Sequence, residues 1–328
     1  MDISKKMQMI RVAELYYLHN MTQQQIADIV GISRPTVSRL LEDAKAQGIV
    51  EIKLNISDDI ESGIASEIRD RLGFQEVIVV NTRETDYDKS MEKLARTAAD
   101  YVTGVIKSNM TIGVSWGRAM KALAVAMPQL PLDNVKVIQT VGSLGMTASN
   151  FDGTDVVSIL ASKLGGTHHS ICGPAILPTK GVADELKQIP AIAQALEEAS
   201  HADIYITGIG SFDEADNSLQ RAGYISCEER ILLHKRGVVA NILARILDEN
   251  GNEISDFHDR SLSISLDCLK GDALTIGVSA SESKAEAILA IAKGKYLNTL
   301  IIDLCCAQKV LECLDKKKHV KSGKKDPA

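Results

Sequence analysis

Between Val77 and Leu314, short runs rich in β-branched residues alternate with longer stretches of helical spacing. This alternation restricts the fold more than any other feature of the chain. The predicted strands cover 77–80, 111–114, 135–140, 204–209, 274–278 and 299–303. The predicted helices cover 91–106, 117–127, 154–164, 182–198, 227–247, 283–292 and 305–314. Strands that take turns with helices form a mostly parallel sheet covered on both faces, so a Rossmann-like α/β domain is expected.

The first fifty residues follow a different rule. Met9, Val12, Ala13, Tyr16 and Tyr17 recur at three- and four-residue spacing, which marks a helix with one buried stripe. Thr22 and Gln25 occupy the two positions of a capping box before Ile26, Ala27, Ile29 and Val30. Gly31 permits a tight turn, and Ser33 caps a third helix that runs through Pro35, Val37, Leu40, Leu41 and Ala44. Helix, glycine turn and helix make a helix-turn-helix. The alternation at 49–54 adds a small strand, so a winged form is expected.

Arg34, Thr36, Ser38 and Arg39 lie on the outward side of the third helix near its start, and no acid occurs from Ser33 to Leu41. Such groups read base edges and clamp phosphates when the start of a helix enters the major groove of duplex DNA. Ser33 and Pro35 at the same helix start, with Thr22 and Gln23 at the start of the second helix, complete the expected DNA-contacting set.

The formal charge of -6 excludes a chain that coats nucleic acid over its whole surface. It leaves room for a small DNA-binding module, because residues 1–55 hold seven basic and six acidic side chains while the remainder carries the negative excess. No apolar run reaches the roughly 20 residues of a membrane span, and the first residues lack a signal-peptide pattern, so a cytoplasmic protein is expected. Six scattered cysteines show no zinc spacing and read as reduced thiols, with the adjacent Cys305 and Cys306 as the one oddity. His168 and His169 are neighbours on one extended segment, so their side chains diverge and a shared metal or catalytic site is not expected.

In open parallel sheets, ligands bind beyond the carboxyl ends of the strands, where loops run into helix starts. That rule selects Ser115, Trp116, Gly117, Arg118 and Ala119, the loop that begins at Val141 and Gly142, the stretch that leads through Asp152, the turn Gly208 to Ser211, and Ser279 to Lys284. Backbone N–H groups and hydroxyls there suit an anion, with Arg118 and Lys284 supplying charge. Together these loops predict a polar pocket for a phosphorylated or polyhydroxylated metabolite. No intact dinucleotide fingerprint, Walker pattern, nucleophile elbow or zinc motif is present, so no cofactor and no metal are expected.

The segments LYYLHNMTQQQIADIVGISRPTVSRLLEDAKAQGIVEI, TIGVSWGRAM, TGIGSF, RAGYIS and ESKAEAILAIAKGKYLNTLIID occur in one order along nearly the whole chain. In these segments the chain resembles the SorC family of sugar-responsive bacterial transcription regulators. The resemblance implies a large domain similar to sugar-phosphate isomerases that has become an effector sensor, in a homodimer or homotetramer on double-stranded operator DNA. It also implies a phosphate on the loop Ser115 to Ala119, with further effector contacts from Thr140, Gly142, Ser143, Asp152 and Lys284. Gly208, Gly210 and Asn241 complete the expected effector set. Val141 stands where one branch of the family carries a Schiff-base lysine, and Ala240-Asn241 stands where many relatives carry Gly-Asp in what reads as a helix before Asp248.

The expectation is therefore a DNA-binding regulator of a carbohydrate-utilisation operon, controlled by a phosphorylated sugar or polyol and without catalytic residues. The domains expected are a winged helix-turn-helix at 1–56, an effector-binding and oligomerisation domain at 57–316, and a basic, disordered tail at 317–328. The alternative is a sugar-phosphate isomerase-like enzyme with an accessory DNA-binding domain, for which Asp152 is the nearest candidate base.

Overall fold

The structure is a computed structural model that describes residues 3–19, 21–50, 60–82, 87–144, 152–212 and 217–322. The chain forms two compact units, Met1–Ser57 and Asp58–Ala328. The expected wing strand lies, beyond Val50, outside the described residues, as do Ser149 to Phe151 and the tail from residue 323.

The smaller unit holds three helices, α1 (Ile3–Tyr17), α2 (Gln23–Val30) and α3 (Arg34–Ala46). Its core is the apolar stripe read from the sequence, with Met9, Val12, Leu15, Ile26, Val37, Leu40 and Leu41 all buried. Local hydrogen bonds set the helix starts. The backbone N–H of Gln25 donates to Thr22 Oγ1 at 3.3 Å, and that of Thr22 donates to Gln25 Oε1 at 2.9 Å, which closes the capping box. Ser33 Oγ accepts from the N–H of Thr36 at 3.4 Å and lies 2.8 Å from Thr36 Oγ1. Ile49 and Val50 fold back on the helices, both donating to Ala44 O.

The larger unit opens with α4 (Ser62–Leu72), β1 (Glu76–Val80), α5 (Tyr87–Val105), β2 (Thr111–Val114), α6 (Arg118–Ala126) and β3 (Lys136–Gln139). It continues with α7 (Gly153–Leu164), β4 (Thr167–His169), α8 (Lys180–Lys187), α9 (Pro190–Ser200) and β5 (Ile204–Gly208). Next come β6 (Gly210–Ser211), α10 (Ser218–Arg221), α11 (Cys227–Lys235), β7 (Val238–Ile242), β8 (Arg245–Asp248) and α12 (Ser255–His258). The last elements are β9 (Leu274–Ser279), α13 (Ala285–Gly294), β10 (Thr299–Asp303) and α14 (Leu304–Ser322).

Among the described residues, seven strands make one all-parallel sheet in the order β1-β10-β9-β5-β2-β3-β4. Side chains alternate between its two faces, as a period of two requires. Ile112, Val114, Val137, Ile204, Ile206, Ile276 and Ile301 face one layer with Leu94, Leu123 and Leu160 of α5, α6 and α7. Val77, Val79, Ile138, Tyr205, Leu300 and Ile302 face the other layer with Ile68, Ile288 and Val310. Strands buried on both faces read as continuous apolar runs, which is why the sequence revealed them.

Three expectations need correction. Residues 182–198 are not one helix, because Pro190 cannot donate within a helix and starts α9 afresh after α8. Residues 227–247 are not one helix either. Helix α11 ends at Lys235, Gly237 takes φ 89°, and the β-branched residues that follow pair as the antiparallel strands β7 and β8. Asn241 is therefore a strand residue, and with β6 the hairpin makes a second, three-stranded sheet. Finally, α14 runs on to Ser322, past the expected start of a disordered tail, since lysines at 316–318 propagate a helix well and no breaker occurs before Gly323.

Leu94 is fully buried in the middle of α5, whereas Val125 on α6 is 58% exposed. Leu94→Ala should cost the larger unit about 2 to 5 kcal/mol, and Val125→Ala less than about 0.5 kcal/mol. Urea unfolding of the two variants checks this, and equal midpoints would contradict the packing described.

Candidate functional site

From β2 the chain steps outward to β3 and β4, and from β5 it steps the opposite way to β9 and β10. Strands β2 and β5 are neighbours, so the loops that leave their carboxyl ends diverge to opposite sides and open a crevice. A cleft lies there. Its lining includes Ser115, Trp116, Gly117, Arg118 and Ala119 after β2, Gly208 and Gly210 around the end of β5, Asn241 of β7, and Lys284 after β9. Nine of the thirteen expected effector residues are thus brought together.

Each is held by its surroundings. Ser115 Oγ accepts the N–H of Gly208 at 3.3 Å, tying the two divergent loops to one another. The Trp116 indole donates to Gly142 O at 2.8 Å, so the ring is fixed in the wall of the cleft. Gly117 has φ 124° and ψ 171°, a region that essentially only glycine occupies, and it begins α6 without any side-chain cap. The first backbone N–H groups of α6 thereby remain a receptor for negative charge. Arg118 stands at that helix start, with its guanidinium 4.3 Å from the centre of the Tyr87 ring.

The other four expected residues do not line the cleft. Gly142 and Ser143 are engaged by backbone bonds to Leu262 and Gly173, and Ser143 O also accepts from Tyr224 Oη at 2.6 Å. The carboxylate of Asp152 accepts from the N–H groups of Gly153 at 2.7 Å and Leu144 at 3.0 Å. It is occupied as the cap of α7 and stands away from the cleft as a candidate base. Thr140 is buried with its hydroxyl unpartnered, outside the lining. Val141 does reach the cleft, fully buried, and an isopropyl side chain cannot form an imine with a sugar carbonyl.

Sequence reasoning missed Tyr87, Arg221, Leu243 and Ala244, which also line the cleft. Arg221 lies within the RAGYIS segment and could have been suspected. Tyr87 and the hairpin tip are brought in only by tertiary packing. Leu243 and Ala244 take φ 54° and 58°, so the β7–β8 turn is built from two left-handed non-glycine residues. Ser281, in the loop between β9 and Lys284, has φ 94°. Its N–H donates to Asp303 Oδ1 at 3.1 Å, and burial pushes the Asp303 carboxyl above its ordinary range. Strained residues of this kind persist where the surrounding structure holds them; Leu243 and Ala244 line the cleft, while Asn109, Asn134 and Lys295 take positive φ outside it.

The lining contains three cations, Arg118, Arg221 and Lys284, and no carboxylate among the described residues. The second candidate surface is the start of α3. There Ser33, Arg34, Pro35, Thr36 and Arg39 are exposed and Ser38 is half-buried. On α2, Thr22 is exposed and Gln23 half-buried, and the Thr22 hydroxyl also serves its own capping box.

Elsewhere, His168 and His169 occupy the edge strand β4, with His169 Nδ1 2.9 Å from Glu198 Oε2. No group of side chains among the described residues could hold a metal ion. Cys306 is fully buried and burial pushes its thiol well up, which disfavours the reactive thiolate; burial also raises Cys305.

A helix-turn-helix carried with an α/β domain that opens a cleft at its switch point defines a ligand-responsive transcription regulator. Residues 60–312 match the family model described as "Putative sugar-binding domain", and residues 11–60 match that of a Crp-like helix-turn-helix domain. The chain belongs to the SorC family of sugar-responsive bacterial transcription regulators, and it is a regulator rather than an enzyme. It is 32% identical over 305 residues to the deoxyribonucleoside regulator of Bacillus subtilis, covering 92% of this chain and 96% of that protein. It is 28% identical to the sorbitol operon regulator of Klebsiella pneumoniae, covering 92% and 97% of the two chains. The crystal structure of that full-length sorbitol operon regulator superposes with a TM-score of 0.73 at 27% identity, over 95% of this chain and 99% of that one.

At Gly117 an added Cβ would meet no atom within 4 Å, so any cost of a side chain there is purely that of the backbone. Gly117→Ala should destabilise the larger unit by about 1 to 3 kcal/mol in a denaturant titration, and a neutral substitution would contradict the assigned loop geometry.

Proposed function

We propose that this regulator binds double-stranded operator DNA through the start of α3 and that a phosphorylated sugar or polyol, seated in the switch-point cleft, sets how firmly it holds. The observation that carries the effector half is the cleft lining itself. An uncapped helix start and three cations, without a described carboxylate, suit a phosphate, and hydroxyl-bearing side chains such as Ser115, Ser218 and Ser279 suit the sugar. Trp116 supplies an apolar wall for a sugar face.

In the DNA half, Arg34 and Arg39 take phosphates or guanine edges, and Ser33, Pro35, Thr36 and Ser38 fit the helix start against the groove. Thr22 and Gln23 reach the adjoining backbone. One such unit with a near-balanced charge binds weakly, so operator binding uses two or four copies of the chain on repeated half-sites. Effector binding changes the equilibrium between arrangements of those copies. Among the described residues no helix is long and apolar enough to cross a membrane, which agrees with work in the cytoplasm beside the DNA.

Two sets of variants test the halves separately. Arg34→Ala or Arg39→Ala should weaken retention of operator duplex by tenfold or more, on the order of 1 to 3 kcal/mol per arginine, while thermal unfolding of the larger unit stays as in the wild type. Arg118→Ala should leave operator retention intact and blunt its response to phosphorylated sugars, as read by fluorescence anisotropy of a labelled operator duplex. Wild-type operator affinity in both α3 variants would remove the reading helix, and a wild-type sugar response in Arg118→Ala would remove the cleft.

A further inference from the structure

Tyr87 begins α5 and Arg118 begins α6, and the two helices pack side by side. The guanidinium carbon of Arg118 lies 4.3 Å from the centre of the Tyr87 ring, inside the reach of a cation–π contact, and both side chains are half-buried. Both residues line the switch-point cleft, and both also line a groove between α5 and α6. With Met91, which borders the same two spaces, they form the partition between them.

The two sides of that partition differ in charge. The cleft lining holds no carboxylate among the described residues, whereas the groove lining holds Asp88 and Glu92. Glu92 accepts from Arg96 one turn along α5, and Asp88 is exposed beside Tyr87. A guanidinium on a long, flexible stem at the start of α6 is attracted toward those carboxylates, and so away from a ligand in the cleft. The Tyr87 ring opposes this pull. An aromatic face attracts the cation as a whole through the ring quadrupole, so it restrains the guanidinium whatever partners the N–H edges take.

We infer that Tyr87 is a positioning residue for effector binding: its ring holds the Arg118 guanidinium on the cleft side of the partition, where it meets the phosphate of the effector. This rests on the reading of the cleft as the seat of a phosphorylated sugar. The ring acts through Arg118, so its loss matters only while Arg118 is present, and the phenolic hydroxyl has no part in it.

The test is a double-mutant cycle read by calorimetric titration of the full chain with inorganic phosphate and with a hexitol monophosphate. Tyr87→Leu should weaken both probes by about three- to tenfold, the range of a cation–π contact of intermediate exposure. Tyr87→Phe, which keeps the ring, should bind both as the wild type does. Tyr87→Leu combined with Arg118→Ala should bind no more weakly than Arg118→Ala alone, and Tyr87→Met takes the place of the leucine variant if that one does not fold. Wild-type affinity in Tyr87→Leu, a Tyr87→Phe variant as weak as Tyr87→Leu, or a combined variant weaker than Arg118→Ala by the full Tyr87→Leu factor would overturn the role of Tyr87 alone. Failure of both probes to bind the wild type would overturn the phosphorylated effector, and the role of Tyr87 with it.

Discussion

The reversal of strand order between β2 and β5 is the constraint on which the rest depends. Two neighbouring parallel strands send their chains to opposite sides, and no crossover can fill the space above their ends. The crevice is therefore a product of topology before any functional residue is chosen. Its walls are stiff because the Ser115 hydroxyl joins the two diverging loops and the Trp116 indole is anchored on Gly142. On that scaffold, the glycine-only conformation of Gly117 presents a helix start bare of side-chain caps.

The second sheet supplies one wall of this crevice. Pairing of β6 with β7 presses Asn241 against Gly210 and holds its amide in the wall. The β7–β8 turn brings Leu243 and Ala244 to the same space in left-handed conformations, and Ser281 adds a third non-glycine residue at positive φ in the loop that leads to Lys284. Such residues cost on the order of 1 to 3 kcal/mol each.

Much of this was legible in the sequence wherever local rules decide. The capping box at Thr22, the cap at Ser33 and the apolar stripe from Met9 to Leu41 are matters of neighbouring residues, and the three-helix unit follows from them. Six strands of the parallel sheet were visible as β-branched runs because both of their faces are buried, whereas the largely exposed edge strand β4, Thr167–His169, was not read. Local rules failed where a short apolar run suits either helix or strand. Residues 238–247 were read as helix, yet Gly237 and the pairing with β6 made them a hairpin. The same ambiguity misplaced Asn241 on a helix. Tyr87 reaches the cleft across a long stretch of chain, and nothing in its own neighbourhood signals it, whereas Arg221 was passed over although its segment RAGYIS had been singled out. Asp152 misled for the opposite reason: a carboxylate before a helix suits a ligand or a cap, and here it caps α7.

A regulator of this kind works only if its two units are thermodynamically linked, and linkage is reciprocal: the factor by which sugar alters DNA affinity must equal the factor by which DNA alters sugar affinity. The most direct measurement is the affinity of the full chain for a phosphorylated sugar that raises its melting temperature, taken with and without saturating operator duplex, beside the operator affinity with and without that sugar. The account predicts two equal factors, each well away from one. Sugar affinity that is the same in the presence and absence of operator would contradict it.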